Sequence, residues 1–189
     1  MRDEGSEESR APCATRRRLL TYCAAGAAGL VAAPTLADAR AAGERSLSFY
    51  NLHTGERARV VYWSGGQYLD TGLGEINRVL RDHRTGEVCA IDPELMDLLF
   101  ALQRTLDSNR PYHVISGYRS PKTNTMLRAR GSGVAKHSLH MDGRAIDVRL
   151  PGCALKDLRV AALSLKAGGV GYYPSSNFVH LDTGRVRFW

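Results

Sequence analysis

Aromatic and β-branched residues crowd two short runs, Leu47 to Leu52 and Arg57 to Trp63, on either side of His53-Thr54-Gly55-Glu56. A polar, glycine-bearing cluster between two such runs predicts a β-hairpin. Ser64-Gly65-Gly66 breaks the pattern. Leu73, Ile76, Val79 and Leu80 then recur at helical spacing, with Gly86 to end the helix. Asp92-Pro93 supplies an N-cap and a first-turn proline. Leu95, Leu98, Leu99, Leu102 and Leu106 form one face of the helix that follows, reaching about Ser108. Glu94 sits in its first turn, where the helix dipole favours an acid. Tyr112 to Ser116 predicts a strand, Lys122 to Arg130 a helix, and Gly131-Ser132-Gly133 a flexible loop. Ala145 to Leu150 alternates apolar and charged residues, so it reads as a strand with Asp147 and Arg149 on one face. Leu155 to Lys166 predicts a helix closed by Gly168-Gly169. Two strands follow, Val170 to Tyr173 and Phe178 to Asp182, joined across Pro174-Ser175-Ser176-Asn177. Strands and helices are segregated rather than alternating, which predicts an α+β domain: a central antiparallel sheet with flanking helices.

The N-terminal stretch is patterned differently. Arg16-Arg17-Arg18 precedes an apolar run from Tyr22 to Ala33, and Ala37-Asp38-Ala39 fits an A-x-A cleavage site. Charge, short apolar run and small-residue site in that order predict a twin-arginine signal peptide over 1–39. The run is too short for an ordinary membrane span, so no transmembrane segment is expected in the mature chain. Cleavage after Ala39 leaves a single compact domain over 40–189. The expected destination is the periplasm or cell envelope. The removed segment holds five Arg and five acidic residues, so the mature domain keeps the whole net charge of +7. A basic exported domain suits an anionic partner such as cell-wall polymer. Export, and the lack of any basic run interleaved with aromatics, argue against nucleic acid. Cys13 and Cys23 leave with the signal. Cys89 and Cys153 lack a C-x-x-C partner, which disfavours a zinc–cysteine site. They could form one disulfide in an oxidising compartment or stay as two thiols, and the second reading is preferred because nothing fixes their distance.

The chemistry concentrates in Ser138-Leu139-His140-Met141-Asp142-Gly143-Arg144-Ala145-Ile146-Asp147 and Phe178-Val179-His180-Leu181-Asp182. An ionised Asp in a strand is costly when buried alone. A metal ion, or Arg149, would relieve that cost. Gly143 aids a turn that can fold His140 back over Asp147, and His180 reaches them if its strand is a neighbour. Two imidazoles and one carboxylate hold Zn²⁺ with a position left for water. The same residues also suit an Asp147–Arg149 pair with two surface histidines.

The pattern Ser138-x-His140-x-x-Gly143-x-Ala145-x-Asp147, with His180 downstream, resembles the zinc D-Ala-D-Ala peptidase and murein endopeptidase superfamily. Ser116-Gly117-Tyr118-Arg119-Ser120-Pro121 with Asn124 is similar to a second element of that superfamily. Gly169-Val170-Gly171-Tyr172-Tyr173-Pro174, Phe178 to Gly184 and Trp189 resemble its murein endopeptidase K branch. The resemblance spans roughly Ser46 to Trp189. It implies the hedgehog/D-Ala-D-Ala peptidase-like α+β fold, His140, Asp147 and His180 as zinc ligands, and Arg119 as a contact to a substrate carboxylate or to the transition state, preferred over a structural salt bridge at a turn. It also implies peptidoglycan as partner and hydrolysis of its stem peptides or cross-links, with endopeptidase favoured over carboxypeptidase.

Two positions depart from the pattern. Many members carry an acid three residues before the last ligand, as general base; here it is Asn177. Others carry His two residues before it; here it is Phe178. Two residues can replace the missing base. Asp182 shares a strand face with His180 and either takes the proton or orients His180, the second role being ranked first. His137 lies in the His140 loop and is either an acid/base group or a solvent histidine. Asn177 and Phe178 also keep open a non-catalytic, zinc-containing wall-binding or interaction domain. A third reading, acyl transfer through Cys153, lacks an adjacent base. Tyr62, Trp63 and Tyr68 read as groove or core, with core favoured. His53, His83 and His113 read as surface or packing residues, and Asp142 as an exposed turn acid in preference to a group that supports a ligand from behind. The terminal Phe188 and Trp189 are expected to dock by burial. Oligomeric state is not legible.

Overall fold

The computed structural model describes residues 43–131 and 133–189. The expected signal segment lies outside the described residues. Strands β1 (Arg45–Asn51) and β2 (Arg57–Ser64) form the expected hairpin, with Tyr50 opposite Arg57 and Ser46 opposite Val61. The Asn51 side chain closes its turn by accepting from the backbone N–H groups of His53 and Thr54 at 3.0 and 3.2 Å. Gly65 and Gly66 do not end the sheet. Both take positive φ, 61° and 85°, the conformation of a two-residue hairpin turn. They lead into β3 (Gln67–Tyr68), which pairs with β2.

Helix α1 (Asp70–Val79) stops well before Gly86 because tertiary partners take its last carbonyls. Asn51 Nδ2 donates to Val79 O at 2.9 Å, and the Tyr118 N–H donates to Leu80 O at 2.8 Å. Helix α2 (Pro93–Thr105) begins as its sequence predicts, with Asp92 capping the Glu94 N–H. Then come β4 (Tyr112–Ser116), α3 (Pro121–Ala129, capped by Ser120), β5 (Ala145–Arg149), α4 (Leu155–Leu165), β6 (Gly169–Tyr173), β7 (Phe178–Asp182) and β8 (Arg187–Phe188).

Eight strands form one sheet in the order β3-β2-β1-β4-β5-β7-β6-β8. The expectation of an antiparallel sheet holds for most neighbours. However, β1/β4 and β6/β8 are parallel. Between β1 and β4 the chain forms β2, β3, α1 and α2 before returning, a crossover long enough to re-enter in the same direction. Alternation sorts the two faces. Leu47, Phe49, Tyr112, Val114, Ile146, Val148, Val179 and Leu181 are buried on one side, with the α2 residues Leu95, Leu99 and Leu102 in the same core. Helix α2 packs on β1, and α4 packs on β6 and β7. Asp147 and His180 therefore point to the other face.

Tyr62 and Tyr68 belong to the core side: both hydroxyls donate to Asp97, at 2.9 and 2.7 Å. The C-terminus does dock, through backbone and through the Trp189 indole, although Trp189 stays 46% exposed. Trp189 N–H donates to Val170 O and Trp189 O accepts from Tyr172 N–H, at 3.2 and 3.0 Å. Phe188 remains 70% exposed, contrary to the expectation of burial, because it pairs with Val170 from the edge strand of the sheet, where no further strand among the described residues covers it. Cys89 and Cys153 are not bridged to each other. No helix among the described residues is long and apolar enough to cross a membrane.

Candidate metal centre

Register places two of the three candidate ligands. Asp147 and His180 are direct partners across β5 and β7, and His180 Nδ1 lies 2.8 Å from Asp147 Oδ1. His140 arrives on a 3₁₀ turn, Leu139–Asp142, that ends at Gly143 with φ 68°. A side chain at Gly143 would also strike the Ala90 carbonyl, so both conformation and space demand glycine there. His140 Nε2 lies 3.3 Å from Asp147 Oδ1 and 3.2 Å from His180 Nδ1. The three candidate donor atoms all fall within 4.8 Å of one another.

The rings are held from behind. His140 Nδ1 is 2.8 Å from the Gly117 carbonyl, which can only accept, so Nδ1 carries the hydrogen and Nε2 presents its lone pair. His180 Nε2 is 3.0 Å from Asp182 Oδ2 and donates to it, which leaves Nδ1 as the inward nitrogen. Asp182 is fully buried and fully used. Its Oδ1 accepts from Gly169 N–H, Gly184 N–H and Arg187, at 3.0, 2.8 and 3.0 Å, and its Oδ2 accepts from Arg187 at 2.7 Å. Both of its oxygens therefore face protein, on the far side of the His180 ring from Asp147.

The electrostatics follow from crowding. Burial works to raise the Asp147 pKa, but His140 and His180 outweigh it and hold the carboxyl below its ordinary range. Burial likewise works to lower His180, but Asp147 and Asp182 raise it to about 8. Asp182 is opposed by burial and held low by His180, Arg187 and two backbone N–H groups. Two inward imidazole nitrogens at 3.2 Å with a carboxylate oxygen beside them repel unless something positive joins them. A proton on His180 does so in the metal-free protein. A divalent cation does so better, since all three atoms can face it at once. The donor set fits such an ion.

Arg119 sits beside this cluster. Its Nη2 is 3.7 Å from Asp147 Oδ2 and 3.5 Å from Ser116 Oγ. Its backbone N–H donates to His140 O at 3.0 Å, tying the two loops together. The buried Nε has no partner in the protein. Burial lowers its pKa and Asp147 opposes that fall. The side chain thus holds unspent donor capacity at the wall of a cleft of about 320 Å³ that also contains His140, Asp147 and His180.

His137 is exposed and lines the same cleft. Asn177 is exposed in a left-handed turn, φ 55° and ψ 51°, a conformation Asn tolerates well. Asp142 is an exposed turn acid, and His53 stacks on His83 with centroids 3.8 Å apart, both outside the cleft lining. Sequence reasoning missed three contributors. Arg187 counters Asp182 from five residues away, and the Gly117 carbonyl fixes the His140 ring. Tyr173 and Phe178, stacked at 4.6 Å, form an aromatic wall with Trp189, whose Nε1 donates to Tyr173 OH at 2.8 Å. A buried acid next to a histidine asks for a counter-charge, which was the one signal pointing toward Arg187.

A profile of the family described as peptidoglycan L,D-endopeptidase MepK matches residues 39–189. Peptidoglycan L,D-endopeptidase MepK of Escherichia coli K12 is 47% identical over 178 residues, covering 93% of this chain and 97% of the relative. Probable peptidoglycan L,D-endopeptidase MepK of Haemophilus influenzae is 43% identical over 146 residues, covering 77% of this chain and 78% of the relative. Among solved structures, Serratia marcescens L-Ala D-Glu endopeptidase ChiX overlaps 51% of this chain and 69% of its own, at 21% identity and a TM-score of 0.34.

Proposed function

Because the chain belongs to the peptidoglycan L,D-endopeptidase MepK family, we propose that it hydrolyses peptide cross-links of peptidoglycan, with zinc held by His140, Asp147 and His180. The observation that carries this reading is the convergence of those three donor atoms with both rings locked from behind. Bound there, zinc supplies a Lewis acid that acidifies water and polarises a carbonyl.

The chain's own groups supply the rest. Gly117 and Asp182 fix the tautomers, so both inward nitrogens are available without a rotamer search. Arg119, with its Nε unpaired and Asp147 to keep it charged, receives a substrate carboxylate or carbonyl oxygen. Asp182 orients His180 and does not take the proton, since its carboxylate is fully buried behind the His180 ring, outside the cleft lining, with both oxygens already engaged. Proton transfer falls to His137, the exposed imidazole on the cleft wall. Tyr173, Phe178 and Trp189 wall off one side. We further propose that the protein acts outside the cytoplasmic membrane, on the strength of the export-signal layout at its N-terminus.

The test is a digest. Zinc-loaded protein is incubated with purified cross-linked muropeptide dimers, and the products are separated by chromatography. Conversion to monomers is expected, with none after chelation and recovery on adding zinc. Intact dimers after incubation with folded, zinc-loaded protein would overturn the proposal.

A further inference from the structure

The outward sheet face extends well past the metal centre. One row of side chains crosses four strands in register: Arg57 on β2 opposite Tyr50 on β1, Tyr50 opposite His113 on β4, and His113 opposite Arg149 on β5. Arg57 lies 4.1 Å over the Tyr50 ring, and Tyr50 meets His113 edge-on with centroids 5.1 Å apart. Arg59 stands two residues along β2 from Arg57, on the same face. Toward the cleft, Arg149 and Phe178 each stand one step beyond the Val148–Val179 pair, and Phe178 stacks on Tyr173 in the cleft wall. The row thus joins the cleft to β2 across five strand spacings, roughly 24 Å.

This row is basic and uncompensated. Arg57 and Arg59 are exposed and Arg149 is half-buried. Among the described residues none of the three has a carboxylate within ion-pair distance. In register His113 stands between Arg149 and Tyr50, with Arg57 one strand further on. Exposed guanidiniums that no acid engages are free to pair with carboxylates in two places each. Their charges, together with flat rings between them, suit a polymer that presents carboxylates at intervals. Peptidoglycan stems carry such free carboxylates.

We propose that Arg57, Arg59 and Arg149, with Tyr50 and His113 between them, form a binding track for the stem peptides of a peptidoglycan strand neighbouring the one in the cleft. The proposal rests on the peptidoglycan reading above and adds where the intact wall, as opposed to a single cross-link, is gripped.

Co-sedimentation of the full zinc-loaded chain with purified murein sacculi tests it, on ice and at low salt. The expected result is roughly tenfold weaker retention for Arg57→Gln/Arg149→Gln. A smaller loss in the same direction is expected for Arg59→Gln, whose exposed side chain leaves the fold intact. Arg128→Gln/Arg130→Gln removes the same charge from the end of α3 and should sediment like the parent. The track is overturned if the first variant is retained like the parent, or if the α3 variant loses as much. It is also overturned if the parent sediments with phosphatidylglycerol vesicles and not with sacculi. Cleavage of a soluble cross-linked dimer by the parent is read in parallel. Cleavage with track-independent retention sinks only the track. Track-dependent retention without cleavage sinks only the peptidase reading.

Discussion

Around Asp147 and His180 on β5 and β7 charges are matched; along the strip from Arg57 on β2 to Arg149 on β5 they are not. Asp182 answers His180 and Arg187, Asp147 answers both histidines, and Arg119 leans on Asp147. Arg57, Arg59 and Arg149 have aromatic neighbours at most and no acid among the described residues. Burial explains the contrast. Asp182 is inaccessible and Asp147 nearly so, and an unpaired charge there would be prohibitive. Arg57 and Arg59 are exposed and Arg149 is half-buried, so water reaches them and they need no acid to be stable. A buried network fixes atoms in place, which suits chemistry. A solvated strip leaves its charge available to whatever arrives.

Breaking the matched end should therefore cost far more than editing the other. Asp147→Ala removes the central acid from between two histidines. We expect loss of stoichiometric zinc, seen by elemental analysis, and a fall in dimer hydrolysis of roughly a thousandfold or more. Asp182→Asn separates two roles. As the partner that orients His180, it should lose roughly 10–100-fold in zinc affinity by calorimetric titration. Unchanged affinity with collapsed kcat would instead make it the proton acceptor.

The pH response carries a definite sign. His180, raised from 6.5 to about 8, stabilises the metal-free fold fully below pH 6.5 and loses that contribution as pH rises through 8. Thermal unfolding of the chelated protein should show about 2 kcal/mol less stability at pH 8.5 than at pH 6 from this group, by roughly 1.4 kcal/mol per unit. Asp182, held low, contributes above its ordinary range and loses that only in strong acid, so it leaves this window flat. Zinc binding must displace the His180 proton, so affinity should climb with pH up to about 8. The smallest effect is expected along the unmatched strip: Arg149→Gln should shift stability by no more than about 0.5 kcal/mol. A larger drop would mean that the strip is structural.

Local patterns made much of the architecture legible. The β1–β2 hairpin, the capped start of α2 and the alternation through β5 were visible because each depends on neighbours in sequence. The parallel entry of β4 beside β1 was not, since pairing partners sit some sixty residues apart and alternation does not encode direction. The early end of α1 was hidden for the same reason: Asn51 and Tyr118 close it from elsewhere in the chain. Gly65-Gly66 read as a break although it makes a turn, because glycine pairs serve both ends. Phe188 was misjudged because hydrophobicity alone does not say that a strand lies at the edge of the sheet.

At the site, motif spacing and family resemblance pointed to His140, Asp147 and His180, and the structure brings these three together. The groups holding them from behind were less visible. A backbone carbonyl such as that of Gly117 leaves no mark in a sequence, and Arg187 is one arginine among many until β8 places it against Asp182.

X-ray absorption at the zinc edge of the zinc-loaded chain addresses the central claim most directly. Two imidazole nitrogens, one carboxylate oxygen and a solvent oxygen predict one zinc per chain with four nitrogen or oxygen neighbours at about 2.0–2.1 Å and no sulfur. A sulfur shell near about 2.3 Å, or zinc content that survives Asp147→Ala unchanged, would contradict it.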